Sequence, residues 1–293
     1  MKLKKLYEYY MLYKYKYMLN KSLIQEYVEL YNVYAKNENV QAVILGSSHG
    51  AYGIDTSVIK ENLNENKIIN LCSSSLDLYG TFEMTKNVIN KYPKLKHIYI
   101  TYSLFSNGYQ LDKVEAERDK SILNKILFDI PIKNSILNEN TFYQKLIENY
   151  ILFKEKECKY EFRTKLGNKT TKREYFEFLY TVESRVAGHI KHNKRNSSEN
   201  RYIEEIDNLC KKNNIKLDIV IMPVRNDYRR ESHKYGETEE LFSDIIEICK
   251  KREIALKSYY DYELEDIYFG DYDHLTEIGA KIFSEKLFQE IKV

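Results

Sequence analysis

The chain has 293 residues, with 46 Lys+Arg against 44 Asp+Glu and a formal net charge of +2. That length suits one large domain or two small ones, and the charge lacks the clear basic excess of a dedicated nucleic-acid binder. With 43% hydrophobic and 31% charged residues the composition can bury a core, and ten Gly with three Pro exclude collagen-like or Gly-rich repeats, so wholesale disorder is also excluded.

From Tyr7 to Tyr34 apolar and aromatic residues recur at helical spacing, among them Tyr13, Tyr17, Leu23, Tyr27, Leu30 and Val33. They predict an amphipathic helical arm over residues 1–38. Its polar face carries Glu as well as Lys, unlike a basic membrane-surface helix. The arm is therefore expected to pack on its own domain; pairing of two copies and peripheral membrane contact are the alternatives. No stretch reaches the ~18 apolar residues of a membrane span. A secretory signal's apolar run of about 7–15 residues and its small-residue cleavage site are also missing. The expected location is cytoplasmic, with no transmembrane segment.

After Asn39 the pattern changes. Gln41–Leu45, Lys67–Leu71 and His97–Thr101 are short apolar runs rich in branched residues, and read as buried strands. Between the last two, Tyr79–Tyr92 is a helix stopped by Pro93. A fourth strand, Lys216–Met222, ends at Pro223 and lies between helices at about 200–213 and 238–252. A weaker strand at 254–259 and a closing helix at 276–291 complete the pattern. Such alternation predicts βαβ units and an α/β domain over residues 39–293: a flavodoxin-like three-layer α/β/α sandwich with a parallel sheet of about five strands. The polar, Lys-rich stretch at about 105–196 has no clear strand and reads as a helical insertion.

The four cysteines, Cys72, Cys158, Cys210 and Cys249, are scattered without a C-x-x-C pair. They read as reduced, mostly buried thiols rather than as a disulfide framework or zinc site.

Open parallel sheets bind ligands at the carboxyl ends of their strands. The first strand is followed by Gly46-Ser47-Ser48-His49-Gly50, where a serine at a strand-to-helix turn can present its hydroxyl beside unpaired backbone N–H groups. An ordinary small-residue loop is the plain alternative. Before the last helix comes Asp271-Tyr272-Asp273-His274. There an Asp three residues before a His can orient an imidazole that faces a serine; a solvated acidic loop is the alternative. Asp273, next to the His, is expected to point away into solvent or to cap the last helix. Gly46–Gly50 also fits the G-x-S-x-G elbow of α/β-hydrolases, but that elbow follows several strands and here the serine follows the first.

The arrangement resembles the SGNH (GDSL-like) hydrolase superfamily. Gly46-Ser47-Ser48 matches its Gly-Asp-Ser block, and Asp271 with His274 matches its Asp-x-x-His pair, followed by Leu275-Thr-Glu-Ile-Gly279. Gly-Ser-Ser is similar to the branch that includes envelope-polysaccharide acyltransferases and the D-alanyl transfer protein of teichoic acid. The resemblance covers about residues 40–103 and 198–293. It implies Ser48 as nucleophile, His274 as base, Asp271 as its orienting carboxylate, and an O-acylated sugar or glycan as substrate, with no metal or organic cofactor. It also implies oxyanion donors at the Ser48 N–H, at Ser75 (where the family has Gly) and at Asn107, which falls a few residues later than the family spacing. His49, Arg225 and Asn226 are candidate substrate-binding residues, whereas His189 and His192 read as surface residues. The function expected is a serine esterase or O-acyltransferase; the alternative is a catalytically degenerate glycan-binding or scaffold protein on the same fold.

Overall fold

The computed structural model describes residues 21–61, 67–114, 118–132, 162–169, 181–193 and 197–290. The first 20 residues of the expected arm, much of the expected insertion, and Cys158 lie outside them.

Five strands form one all-parallel sheet in the order β2-β1-β3-β4-β5: β1 Val40–Gly46, β2 Lys67–Asn70, β3 His97–Tyr102, β4 Lys216–Ile221 and β5 Ala255–Ser258. The helices are α1 Lys21–Lys36, α2 Ser48–Gly53, α3 Leu78–Lys91, α4 Arg118–Phe128, α5 Val182–Asn193 and α6 Arg201–Lys212. They continue with α7 Asn226–Ser232, α8 Thr238–Leu241, α9 Ser243–Arg252 and α10 Glu277–Glu290. Strands β1 to β4 follow from runs of branched apolar residues that are largely buried, while the edge strand β5 is half-buried to exposed; each bound falls within one or two residues of the run that predicts it. One expected helix is interrupted: 238–252 breaks at Phe242, whose φ of −114° and ψ of 15° leave the helical range. The Asn226–Ser232 helix falls where the sequence reads as loop, because seven residues are too few to display a helical period.

The pleat sorts the strand residues into two cores. Val43 and Leu45 of β1, Ile98 and Ile100 of β3 and Ile219 of β4 face one layer with residues of α1, α3, α4, α6 and α9. Ala42, Ile44, Tyr99 and Val220 face the other, with Ala51 of α2 and Phe283 and Leu287 of α10. The fold is therefore a three-layer α/β/α sandwich. Part of the expected arm belongs to it: Ile24, Tyr27, Val28, Leu30 and Val33 of α1 are fully buried in the first core. No helix among the described residues is long and apolar enough to cross a membrane.

The chain leaves β1 toward β2 over the α2 face, then returns from β2 to β3 over the α3 face. Right-handed crossovers that reverse direction place their helices on opposite faces. The crevice at the carboxyl ends of β1 and β3, where the order reverses, is the switch point at which open sheets bind ligands. Gly46 and Thr101, paired in register, lie at its floor.

Candidate active site

Ser48 opens α2 directly above that floor. Gly46 has a φ of +140°, and a Cβ there would come 2.2 Å from Thr101 Oγ1 and 2.7 Å from the Thr101 carbonyl oxygen. Only glycine fits this turn. Behind the serine, Asn70 braces the short helix: its amide donates to the carbonyls of Gly50 (3.0 Å) and Ile54 (2.9 Å), and its oxygen accepts from the Cys72 N–H. Ser48 is half-buried while its neighbours Ser47 and His49 are buried. Its own N–H lies in the first turn, where donors lack an intrahelical acceptor.

The loop before α10 is closed by hydrogen bonds from Gly270 N to the His274 carbonyl (2.9 Å) and from Thr276 N to the Tyr268 carbonyl (2.8 Å). Inside it, Asp271 Oδ1 accepts the backbone N–H groups of Asp273 (3.1 Å) and His274 (2.8 Å). The same carboxylate accepts from His274 Nδ1 at 2.8–2.9 Å. That bond fixes the proton on Nδ1, which leaves Nε2 as the acceptor for the Ser48 hydroxyl at 2.8 Å. Ser48, His274 and Asp271, from opposite ends of the chain, thus form one continuous hydrogen-bonded series.

A second series lies against the first. His49 Nε2 donates to Asp273 Oδ2 at 2.8 Å, and its Nδ1 is 3.2 Å from Ser47 Oγ and 3.4 Å from Ser103 Oγ. Asp273 also accepts from Arg185 of α5, with Nε to Oδ1 at 3.1 Å and an Nη2 contact to Oδ2 at 3.0 Å. The expectation for Asp273 is therefore corrected. It is buried, because an ionic partner arrives from the insertion that sequence spacing alone does not reveal. Burial works against its charge, but Arg185, His274 and His49 hold its carboxyl well below the usual range. Burial opposes the Arg185 charge too, and Asp273 offsets this and raises the guanidinium pKa.

His189 is likewise corrected from surface to core. It is 5% exposed, with Nδ1 2.7 Å from the Tyr228 hydroxyl and its ring beside Phe105. Burial first, then the nearby Arg185, pushes its pKa well down against the pull of Asp273, so the imidazole is neutral near pH 7. Val182, Val186, His189 and Ile190 share one face of α5, and that helical spacing is the sign of burial the sequence carries. His192 also falls on this helix.

Other expected site residues have hydrogen-bond partners outside the Ser48–His274–Asp271 series. Ser75 occupies the third position of a turn closed by Leu76 N to the Ser73 carbonyl at 3.1 Å. Its φ of +60° is a conformation glycine adopts more readily, and its hydroxyl accepts from Lys120 Nζ at 2.9 Å. The Asn107 amide oxygen accepts from Asn200. Arg225 forks onto Asp227 and lies 4.6 Å above the Tyr272 ring, and Asn226 accepts from Arg229 at 2.7 Å. Each thus has an oppositely charged or polar partner two or three residues away in the loop.

Among the described residues, His49, Asp273 and His274 are the group whose ligand atoms lie close enough to hold a metal, within 4.8 Å of one another. Their donors fit a metal poorly: His274 Nδ1 faces Asp271, and Asp273 already carries a guanidinium that would repel a cation. Cys72, behind the floor, is a buried thiol pushed up to about 12 by desolvation, and Cys210 and Cys249 are free and buried too. No family model and no curated protein matches the chain.

Proposed function

We propose that this protein is a serine esterase or O-acyltransferase of the SGNH type, acting through an acyl-serine on an O-acylated sugar or glycan. The observation that carries the reading is the Ser48–His274–Asp271 series, with its 2.8 Å contacts at the sheet's switch point. In this mechanism Ser48 Oγ attacks the ester carbonyl while His274 Nε2 takes its proton, and Asp271 stabilises the imidazolium. The Ser48 N–H would donate to the tetrahedral oxyanion. Collapse expels the alcohol, which leaves with the proton from His274, and the acyl group stays on Ser48. Water or a sugar hydroxyl, deprotonated by His274, then releases it. The same side chains serve hydrolysis and transfer, and the acceptor decides between them. The glycan substrate rests on the resemblance of the Gly-Ser-Ser and Asp-x-x-His blocks, and a cytoplasmic location on the pattern of the sequence.

The experiment is labelling of the folded protein with a fluorophosphonate, mapped by mass spectrometry, beside turnover of a small chromogenic acetate ester. Labelling of Ser48 in the folded protein, and none when the protein is denatured before the reagent is added, is expected. Labelling elsewhere, or none, would sink the reading. A non-catalytic glycan-binding or scaffold protein on the same fold predicts no turnover and no label.

A further inference from the structure

Among the described residues, three fixed charges lie beside His274. Asp271 lies at 2.8 Å and Asp273 at 3.7 Å from its Nδ1, and Arg185 is bound to Asp273. Other polar groups of the described residues lie close to this set. His49 stacks on the ring at 4.8 Å, and His189 Nδ1 is 3.9 Å from Asp273. Tyr52 meets the ring edge-on at 5.5 Å, and the Lys169 ammonium above Tyr52 is paired with Glu26. Burial holds Tyr228 as a neutral phenol, and Arg225 is neutralised by Asp227. These two carboxylates and one guanidinium together carry a net charge of −1 beside the imidazole, which a proton on His274 offsets.

We propose that Arg185 and Asp273 form a charge-setting pair that fixes the basicity of His274 without touching the substrate. Without Arg185 the imidazole would face two uncompensated carboxylates in a buried site and stay protonated at neutral pH, unable to accept the Ser48 proton. Without Asp273 the guanidinium would stand beside a forming imidazolium and disfavour it. The pair positions the proton affinity of the base between these extremes. Because Arg185 comes from α5 and Asp273 from the loop before α10, the base acquires this setting only when the insertion helix is docked. The consequence for catalysis rests on the acyl-serine reading; the charge setting itself does not.

The test follows the His274 imidazole by NMR across pH in histidine-labelled protein, with His274→Gln to assign its signal. Asp273→Asn should lower the titration midpoint by about one pH unit or more, and Arg185→Gln should raise it by a similar amount, as charges within ~4–6 Å do. Combining the two substitutions restores the net charge and should return the midpoint close to wild type. Arg185→Lys keeps the charge while losing the fork, so it should leave the midpoint near wild type; if Asp273→Asn does not fold, the contrast between Lys and Gln at position 185 decides. Midpoints that stay put, or move the same way in both single variants, would overturn the pair as a charge-setting device. Fluorophosphonate labelling of wild-type Ser48 is scored separately: its failure overturns the acyl-serine reading and leaves the NMR comparison to judge the pair.

Discussion

The imidazoles of His49 and His274 stack with ring centroids 4.8 Å apart and planes inclined by 28°. Each ring joins a serine to an aspartate, but in opposite senses. His274 turns Nδ1 to Asp271 and Nε2 to Ser48, whereas His49 turns Nε2 to Asp273 and Nδ1 to Ser47. Adjacent serines and near-adjacent aspartates thus feed two parallel series, and exposure distinguishes them. Ser48 is half-buried at the crevice, while Ser47, at 2% exposure, is closed off from any ester.

The two serines should therefore separate cleanly. Ser48→Ala is expected to abolish phosphonate labelling and ester turnover with the melting curve unchanged. Ser47→Ala removes one 3.2 Å contact to His49, for which the Ser103 hydroxyl at 3.4 Å can substitute. It should retain labelling at Ser48 and lose less than about 1.5 kcal/mol of stability, the ordinary worth of a neutral hydrogen bond. Labelling that follows Ser47 instead would reassign the nucleophile.

Asp271→Asn tests the orienting carboxylate. Asparagine can still accept the backbone N–H groups of residues 273 and 274, so the loop should hold its shape. It offers the imidazole a weaker, uncharged partner and allows the wrong tautomer. In the chymotrypsin-type Ser-His-Asp triad the comparable change lowers kcat by ~10⁴, and a large loss in kcat with little change in KM is the outcome to look for. A loss of only ~10-fold, with matched melting curves, would mean that a Ser–His pair suffices.

Much of this arrangement is legible in the sequence, for identifiable reasons. Runs such as Gln41–Leu45 and Lys216–Met222 are buried on both faces, so nearly every residue carries the strand signal. Ser48, Asp271 and His274 are found because a parallel sheet places its chemistry just beyond the strand ends. Arg185 acts through the docking of α5, a contact between segments far apart in the chain that no local spacing encodes, whereas the burial of His189 shows only in the apolar spacing it shares with Val182, Val186 and Ile190. Asp273 escapes the sequence for the same reason as Arg185, since its burial depends on a cation from that helix. Arg225 and Asn226 follow a strand as site residues do, but Asp227 and Arg229 engage them first.

His189 gives stability a sign with pH. Its pKa in the folded chain lies well below the ordinary value of 6.5. Between those two values the unfolded chain holds a proton that the folded chain does not, so stability falls as pH drops below ~6.5, at most by about 1.4 kcal/mol per pH unit. His189→Gln should be less stable than wild type at pH 7.5, having lost ring packing against Phe105. It should also lose less on acidification, so the two melting temperatures converge toward pH 5. Staying above pH 5 keeps Asp273 ionised in both proteins, because its depressed pKa removes its contribution only at lower pH. Parallel curves would show that His189 takes up its proton in the folded state.

The floor beneath Ser48 supplies the last prediction, a pairwise one. A Cβ on Gly50 would come 2.4 Å from Thr101 Oγ1, 2.7 Å from Thr101 Cγ2 and 2.6 Å from Cys72 Sγ, all side-chain atoms. Gly50→Ala should therefore overpack the contact between α2 and β3, costing about 1–3 kcal/mol and shifting the short helix that carries the serine. Thr101→Ala removes two of the three clashing atoms, so the double variant should be more stable than the sum of the single losses, with a coupling of about 0.5–3 kcal/mol. Cys72 remains, which makes the rescue partial. Gly46→Ala behaves differently: its added methyl would meet the Thr101 carbonyl oxygen at 2.7 Å, and its φ of +140° is hostile to any side chain. Trimming Thr101 cannot move its own backbone, so Gly46→Ala should stay unrescued. The measurement is urea unfolding of the three single and two double variants, with the phosphonate-labelling rate alongside. If the Gly50 and Thr101 losses simply add, the close approach of α2 to β3 is not what holds Ser48 at the switch point.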